Sequence, residues 1–249
     1  ILTIFVNWMQ LMKISDIFPE KENTWQGGMA IEIDIDWAHE EIIEDTILLL
    51  EKYHVPATFF ATHKSSVLNG IASNDLYEIG IHPNFIPLLK GDASQGKDFK
   101  DVVDRLMDLY PNSKSIKAHS LVDSSMLLEY YSRIGITHDN TYLIDAPEMS
   151  PLVPWRLWNN LIRVPLFWED DYACVTKYQR RFDDLLKPGL GLRVFGFHPL
   201  HIFLNTESLD RYNLVRNVQN EPEKLIKYRF DGEGTRSRFI KLLEAISAN

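Results

Sequence analysis

Over much of the chain, short runs of β-forming residues alternate with stretches whose apolar positions recur at helical spacing. This alternation restricts the fold more than any other feature. Residues 29–36, 56–62, 76–82, 115–119 and 136–139 read as strands. Between them, residues 38–54 carry Ile42, Ile43, Ile47, Leu48 and Leu50 at helical spacing. Residues 63–72 form a weaker helical pattern, and 98–110 and 124–134 form clear ones, the former preceded by a polar loop at 91–95. Strand–helix–strand order implies parallel strands joined by helical crossovers. A closed barrel and an open doubly wound sheet both satisfy it. The rhythm breaks over residues 141–160, where Pro147, Pro151 and Pro154 lie close together. Residues 161–168 and 190–197 then read as late strands, 208–218 and 224–230 as peripheral segments, and 235–247 as a C-terminal helix. No repeat, low-complexity tract or linker divides the chain. A single domain over 1–249 is expected, with 1–28 an N-terminal extension and 207–249 peripheral C-terminal helices; 249 residues suffice for one sizeable core.

Charge and cysteine content remove several function classes. Lys+Arg 26 against Asp+Glu 35 gives a net charge of −9, which disfavours broad attraction to nucleic acid or anionic lipid. The apolar start, with Asn7 and Gln10 inside it and Lys13 as its first cation, is too short and too polar for a membrane span. It also lacks a secretory layout, so cytoplasmic residence is expected. Cys174 is the only cysteine. An internal disulfide and a four-thiolate zinc site are therefore excluded, and any metal must use His and carboxylate ligands.

Strand parity locates the candidate chemistry. Side chains alternate faces along a strand, which puts Glu32, Asp34 and Asp36 opposite Ile31, Ile33 and Ile35. Such alternation commonly marks a half-solvated strand. A strand leading directly into a helix, however, is usually covered on both faces in a parallel α/β fold, and three covered acids are costly without cations or a metal. Three other strands end in histidine: His82, His119 (with Lys117 on the same face) and His198. Neutral imidazoles beside an Asp-x-Asp strand suit zinc, iron or a related divalent ion, and strand C-terminal ends are where such folds place active sites.

At these residues the chain resembles a known family. The run IDIDWAHEEIIEDTILLLEKYHVPATFFAT, followed by LYEIGIHPNF, is similar to the NodB-homology polysaccharide deacetylases of carbohydrate esterase family four. IKAHSLVDSSMLLEYYSRIGIT resembles their third motif and VFGFHPLH their last, so the likeness spans roughly residues 29–205 in the family's order. HPNF, AHSLVDS and FHPLHIFLNT look most like the WbmS-like branch associated with surface-polysaccharide clusters. The resemblance implies an irregular, TIM-like (β/α) barrel of about seven strands. Departures are visible too. Ile86 stands where the family has the second His of its H-x-x-x-H pair, Lys117 where it has an Arg, and Ser120 where it has a Tyr.

The resemblance implies metal-assisted removal of an N-acetyl or other N-acyl group from an amino sugar, in surface-polysaccharide biosynthesis. Asp36, His82 and His119 are the expected metal ligands, with Asn84 and His201 as second choices in place of His119. Zinc is the first choice of ion, and iron, manganese, nickel and cobalt are alternatives. Asp34 is the expected general base, Lys117 the cation that keeps it ionised and His198 the acid for the departing amine, with His201 as its competitor. Asp34 read blandly only orients a ligand or caps the following helix. Trp168 is read either as a sugar-stacking wall or as core, and Asp170 or Asp171 as orienting an imidazole; Asn84, Ser120 and His201 complete the substrate-facing set. Two alternatives stand beside this reading: a hydrolase of another small amide or formyl group, and a degenerate carbohydrate-binding member of the fold. No nucleic-acid or protein partner is indicated.

Overall fold

All six residues of the strand Met29–Asp34 are buried, which requires cover on both faces. The computed structural model describes residues 10–144, 151–176, 181–187 and 189–248. Its strands are β1 (Leu11–Met12), β2 (Met29–Asp34), β3 (Ala57–Ala61), β4 (Tyr77–Ile81), β5 (Ser115–Ile116), β6 (His138–Asp139), β7 (Trp155–Arg156), β8 (Ile162–Arg163), β9 (Trp168–Glu169) and β10 (Arg193–Phe197). Its α-helices are α1 (Glu40–Tyr53), α2 (Ser66–Ile71), α3 (Ile86–Leu89), α4 (Phe99–Leu109), α5 (Ser125–Arg133), α6 (Asp170–Val175), α7 (Phe182–Leu185), α8 (Pro199–Leu204), α9 (Leu209–Leu214), α10 (Pro222–Leu225) and α11 (Thr235–Ser247).

The sheet order is β7-β8-β6-β5-β4-β3-β2-β10-β9, with β1 paired to β2. Every pair is parallel except β7–β8. The sheet is curled: residues 162–169 form one run that supplies β8 beside β6 and β9 beside β10. Along it, Val164 N donates to Asp139 O at 2.9 Å and Phe167 N to Val194 O at 2.9 Å. This is the barrel-like α/β architecture expected, with the curl resolving the choice between barrel and flat sheet. Several strands are shorter than their sequence pattern. The run 115–119 is a strand only to Ile116 and then enters a 3-10 turn at His119–Leu121, and the last strand starts at Arg193.

Two apolar layers hold this sheet. Outside it, Ile31 and Ile33 of β2 join Ile42, Ile43, Ile47 and Leu50 of α1 and Phe239, Leu242 and Leu243 of α11 in one cluster. Residues 235–247 are thus part of the outer core rather than a peripheral helix, with Phe239 packed on Phe197 at 4.8 Å between ring centroids. Inside the curl, a second cluster joins Met12, Ile14 and Ile17 to Ala30, Phe60, Ile162, Val164, Leu166, Leu192 and Val194. The segment expected as an extension fills the end of the barrel where the strands begin. It is fastened there by Ile14 N to Thr58 Oγ1 (2.9 Å), Ser15 N to Glu78 Oε2 (3.0 Å) and a contact of His138 Nε2 with Ile17 O (2.9 Å). Burying three such side chains stabilises the fold by about 5–9 kcal/mol before entropy is counted. The opposite end, at the strand C-termini, is left to polar residues. No helix among the described residues is long and apolar enough to cross a membrane.

Candidate active site

β2 turns its even-numbered residues into the barrel, so Glu32 and Asp34 are buried there beside each other. Asp36 lies beyond the strand end. It and Trp37 have φ of 35° and 56°, left-handed conformations that cost non-glycine residues of order 1–3 kcal/mol each. Ala38 N bonded to Ile35 O (2.7 Å) and Trp37 N to Thr62 Oγ1 (3.1 Å) hold this turn. It swings the Asp36 carboxylate over the end of the barrel.

Three donor atoms meet there. His82 Nε2 lies 3.3 Å from Asp36 Oδ1, His119 Nδ1 lies 3.4 Å from the same oxygen, and the two imidazole nitrogens are 3.4 Å apart. An ion bound tetrahedrally at 2.0–2.1 Å spaces its ligands by about 3.3–3.4 Å, so the triangle has the edge that such a site needs. Asp36 Oδ1 is buried without a hydrogen-bond partner. His82 Nδ1 lies 2.6 Å from the Lys117 carbonyl. Because a carbonyl only accepts, Nδ1 carries the proton and the Nε2 lone pair faces the triangle, a tautomer set by an outer partner as metal-ligating histidines require. These residues fit a divalent ion. Two other groups of potential ligands, Asp34 with Glu169 and His198, and Asp170 with Asp171 and His198, also fall within 4.8 Å. Both use His198, whose Nδ1 meets Asp170 at 2.7 Å, and the first also uses Asp34 and Glu169, which hold Lys117.

Around the triangle the charges are ordered. Burial pushes the Asp36 carboxyl up, but the adjacent His119, His82 and His198 outweigh it and hold it well below the usual range. Burial likewise raises Asp34, and nearby His82, Lys117 and His198 bring it below its ordinary value. Lys117 Nζ touches Asp34 Oδ2 at 2.6 Å, Glu32 Oε1 at 2.7 Å and Glu169 Oε1 at 2.6 Å. Burial pulls this ammonium down, and the three carboxylates more than compensate, leaving it well above the lysine range. Burial and the Asp34 charge push Glu32 well up against the pull of Lys117, and burial raises Glu169 to about 7. His198 Nδ1 is 2.7 Å from Asp170 Oδ1, and Asp170 Oδ2 accepts the His198 backbone N–H at 3.0 Å. Burial lowers His198, but Asp170, with Asp36 and Asp171, wins and holds it well above the histidine range. Its Nε2 lies 3.6 Å from Asp36 Oδ2 and 3.8 Å from Asp34 Oδ2.

A cavity of about 240 Å³ opens over these groups, lined by Asp34, Asp36, His82, Lys117, His119 and His198 together with Ser120, Glu169 and Asp171. Most of the residues expected at the site therefore converge. Three do not stand as expected. Trp168 is not a groove wall. It packs outward against Phe182 and Phe197, with centroids 5.2 and 5.1 Å away. Ile162, Val164 and Leu166 face inward, but parity slips by one at 167–168, where both aromatic rings join the outer layer and Glu169 turns in. Asn84 accepts the Ile86 N–H at 3.0 Å at the start of α3 and lines neither cavity; His119 supplies the third corner of the triangle. His201 is buried behind His198, centroids 5.5 Å apart, and burial lowers its pKa. It lines an adjoining cavity of about 200 Å³.

Two residues went unnoticed in the sequence. Glu169 was concealed by the parity slip, although a buried Lys117 demanded more than one counter-charge. Trp37, 38% exposed, packs its ring at a steep angle against His119 at 5.2 Å between centroids; its left-handed backbone gave no signal in the pattern.

Comparison with known proteins identifies the family. The family model for the WbmS-like polysaccharide deacetylases matches residues 31–216. A crystal structure from Bordetella bronchiseptica, assigned as a polysaccharide deacetylase involved in O-antigen biosynthesis, shares 38% identity, with a TM-score of 0.86 over 94% of this chain and 97% of that one. A structure from Mycobacterium smegmatis, assigned as a polysaccharide deacetylase, is 14% identical, with a TM-score of 0.49 over 88% of this chain and 83% of that one. No curated protein sequence matches the chain. The chain belongs to the WbmS-like polysaccharide deacetylases.

Proposed function

We propose that this deacetylase removes an N-acetyl group from an amino sugar with the help of a divalent ion held by Asp36, His82 and His119, zinc being the first candidate. The observation that carries the reading is the 3.3–3.4 Å triangle of Asp36 Oδ1, His82 Nε2 and His119 Nδ1 with Asp34 and His198 beside it. When bound, such an ion supplies Lewis acidity that polarises an acyl oxygen and acidifies water.

The chain's own groups handle the protons. Asp34 has Oδ2 pinned by Lys117 and Oδ1 buried without a hydrogen-bond partner, so Oδ1 accepts the proton of the attacking water. His198, charged and steadied by Asp170, donates from Nε2 to the departing amine, which must leave protonated. Asp170 orients the ring by accepting from both Nδ1 and the backbone N–H. His201, neutral and set behind it, buttresses the ring. Trp37, partly exposed beside His119, offers the pyranose a flat apolar face, one of the two parts weighed for Trp168, and Ser120 lines the cavity. Acid–base assistance of this kind contributes roughly a hundred- to ten-thousand-fold in rate.

By likeness to the Bordetella bronchiseptica protein, the substrate belongs to O-antigen-type polysaccharide synthesis. A cytoplasmic saccharide precursor is the first to test. The experiment is acetate release from N-acetylglucosamine and N-acetylgalactosamine, free, nucleotide-linked and in short oligosaccharides, with and without added zinc. Zinc-dependent acetate release supports the reading. Release unaffected by zinc and by chelator, or none from any member, contradicts it.

A further inference from the structure

Lys117 is 1% exposed, and its ammonium has three N–H donors. Three carboxylate oxygens stand around it, Glu32 Oε1, Asp34 Oδ2 and Glu169 Oε1, at 2.6–2.7 Å. Every donor is therefore engaged, and the flexible stem that normally lets a lysine wander is locked from strands on two sides, β2 and β9. The packing makes room for this specifically. A Cβ on Gly196, which pairs with Glu32 across β2–β10, would collide with Glu32 Oε1 and approach Glu169 Cγ to 3.3 Å.

We infer that Glu32 and Glu169 are positioning residues: from β2 and β9 they hold the Lys117 ammonium in place against Asp34. Two of the three anchors do not touch the reacting atoms. With Asp34 as its only partner, the ammonium on its flexible stem would be free to swing into the groove. With Glu32 and Glu169 in place, the ammonium keeps two hydrogen bonds from β2 and β9 and remains beside Asp34. This rests on the reading of Asp34 as general base.

The test uses Glu32→Gln and Glu169→Gln, which keep shape and an accepting oxygen, in the full chain loaded with zinc. Turnover is read on whichever N-acetylated sugar of the panel gives the fastest acetate release. Each variant should lower kcat about 10- to 100-fold, the loss typical of one charge-assisted contact, with KM within about twofold of the parent and zinc stoichiometry unchanged. A merely structural role predicts instead a loss that follows the melting temperature. In a Lys117→Met background, adding Glu169→Gln should change kcat by less than about twofold, because residues acting through one group are not additive. Should Lys117→Met fail to fold, Gly196→Ala takes its place: it displaces Glu32 while retaining every charge, and combined with Glu32→Gln it should be no slower than Glu32→Gln alone. Parental kcat in both Gln variants, or losses that multiply, overturns the inference. Asp34→Asn separates the two levels. Full activity there removes the base assignment itself, whereas an inactive Asp34→Asn beside fully active Gln variants removes only the anchoring role.

Discussion

Replacing Glu169 by Gln should flatten the protein's pH–stability curve on its alkaline side. Glu169 is buried at 6% exposure, and burial raises its carboxyl from an ordinary 4.5 to about 7 against the pull of Lys117. Because the folded-state value is raised, the folded chain holds a proton that the unfolded chain has lost throughout pH 4.5–7. Stability therefore falls as pH rises across that window, and the penalty is complete above about pH 7. A shift of this size corresponds to about 3 kcal/mol. Glutamine cannot ionise, so it removes this component while leaving Lys117 an oxygen to bond. The assay is urea unfolding followed by circular dichroism at half-unit steps from pH 4.5 to 8, with chelator present so that metal binding does not enter. Parent and variant should diverge steadily, the variant gaining about 3 kcal/mol relative to the parent by pH 8. Parallel curves, or a variant that loses ground as pH rises, would refute the burial argument.

Other substitutions test separate parts of the account. Asp34→Asn should retain zinc, measured by plasma emission on dialysed protein, and lose about 10²–10⁴-fold in kcat. Ile14→Ala, at a position fully buried inside the barrel, should cost about 2–5 kcal/mol in urea unfolding; an unchanged midpoint would show that the segment does not fill the barrel. Trp37→Ala should raise KM with little change in stability, because its ring is partly exposed beside His119. Trp168→Ala should lower stability by about 3–5 kcal/mol with KM unaltered at a temperature where the variant is folded; the opposite split would reverse their assignment.

Much of this site is legible in the sequence alone. The alternation in β2 announced two buried acids, and the histidines closing three later strand patterns announced the imidazoles that meet them. Both rest on the two-residue period of a strand, which survives any tertiary detail. What escaped lay where that period fails. Asp36 reaches the triangle through a left-handed turn rather than by strand parity. His119 does so from a 3-10 turn three residues beyond β5. Glu169 and Trp168 exchanged places because one residue of slip at 167–168 moves every later side chain to the other face. The burial of Met12, Ile14 and Ile17 inside the curl was invisible for a different reason: a short apolar run carries no information about which cavity it will fill. His119 standing in for the histidine absent at Ile86 was legible as a candidate only through family likeness, since nothing local links residues 82 and 119.

The central claim is that Asp36, His82 and His119 close on one ion. X-ray absorption on the zinc-loaded protein tests it most directly, read beside the His119→Ala and Asp36→Ala variants. The account predicts one tightly bound zinc with two imidazoles and oxygen donors at about 2.0–2.1 Å, and one imidazole fewer, with weakened retention on dialysis, in His119→Ala. A parent that binds no zinc, or a His119→Ala spectrum identical to the parent's, would contradict it.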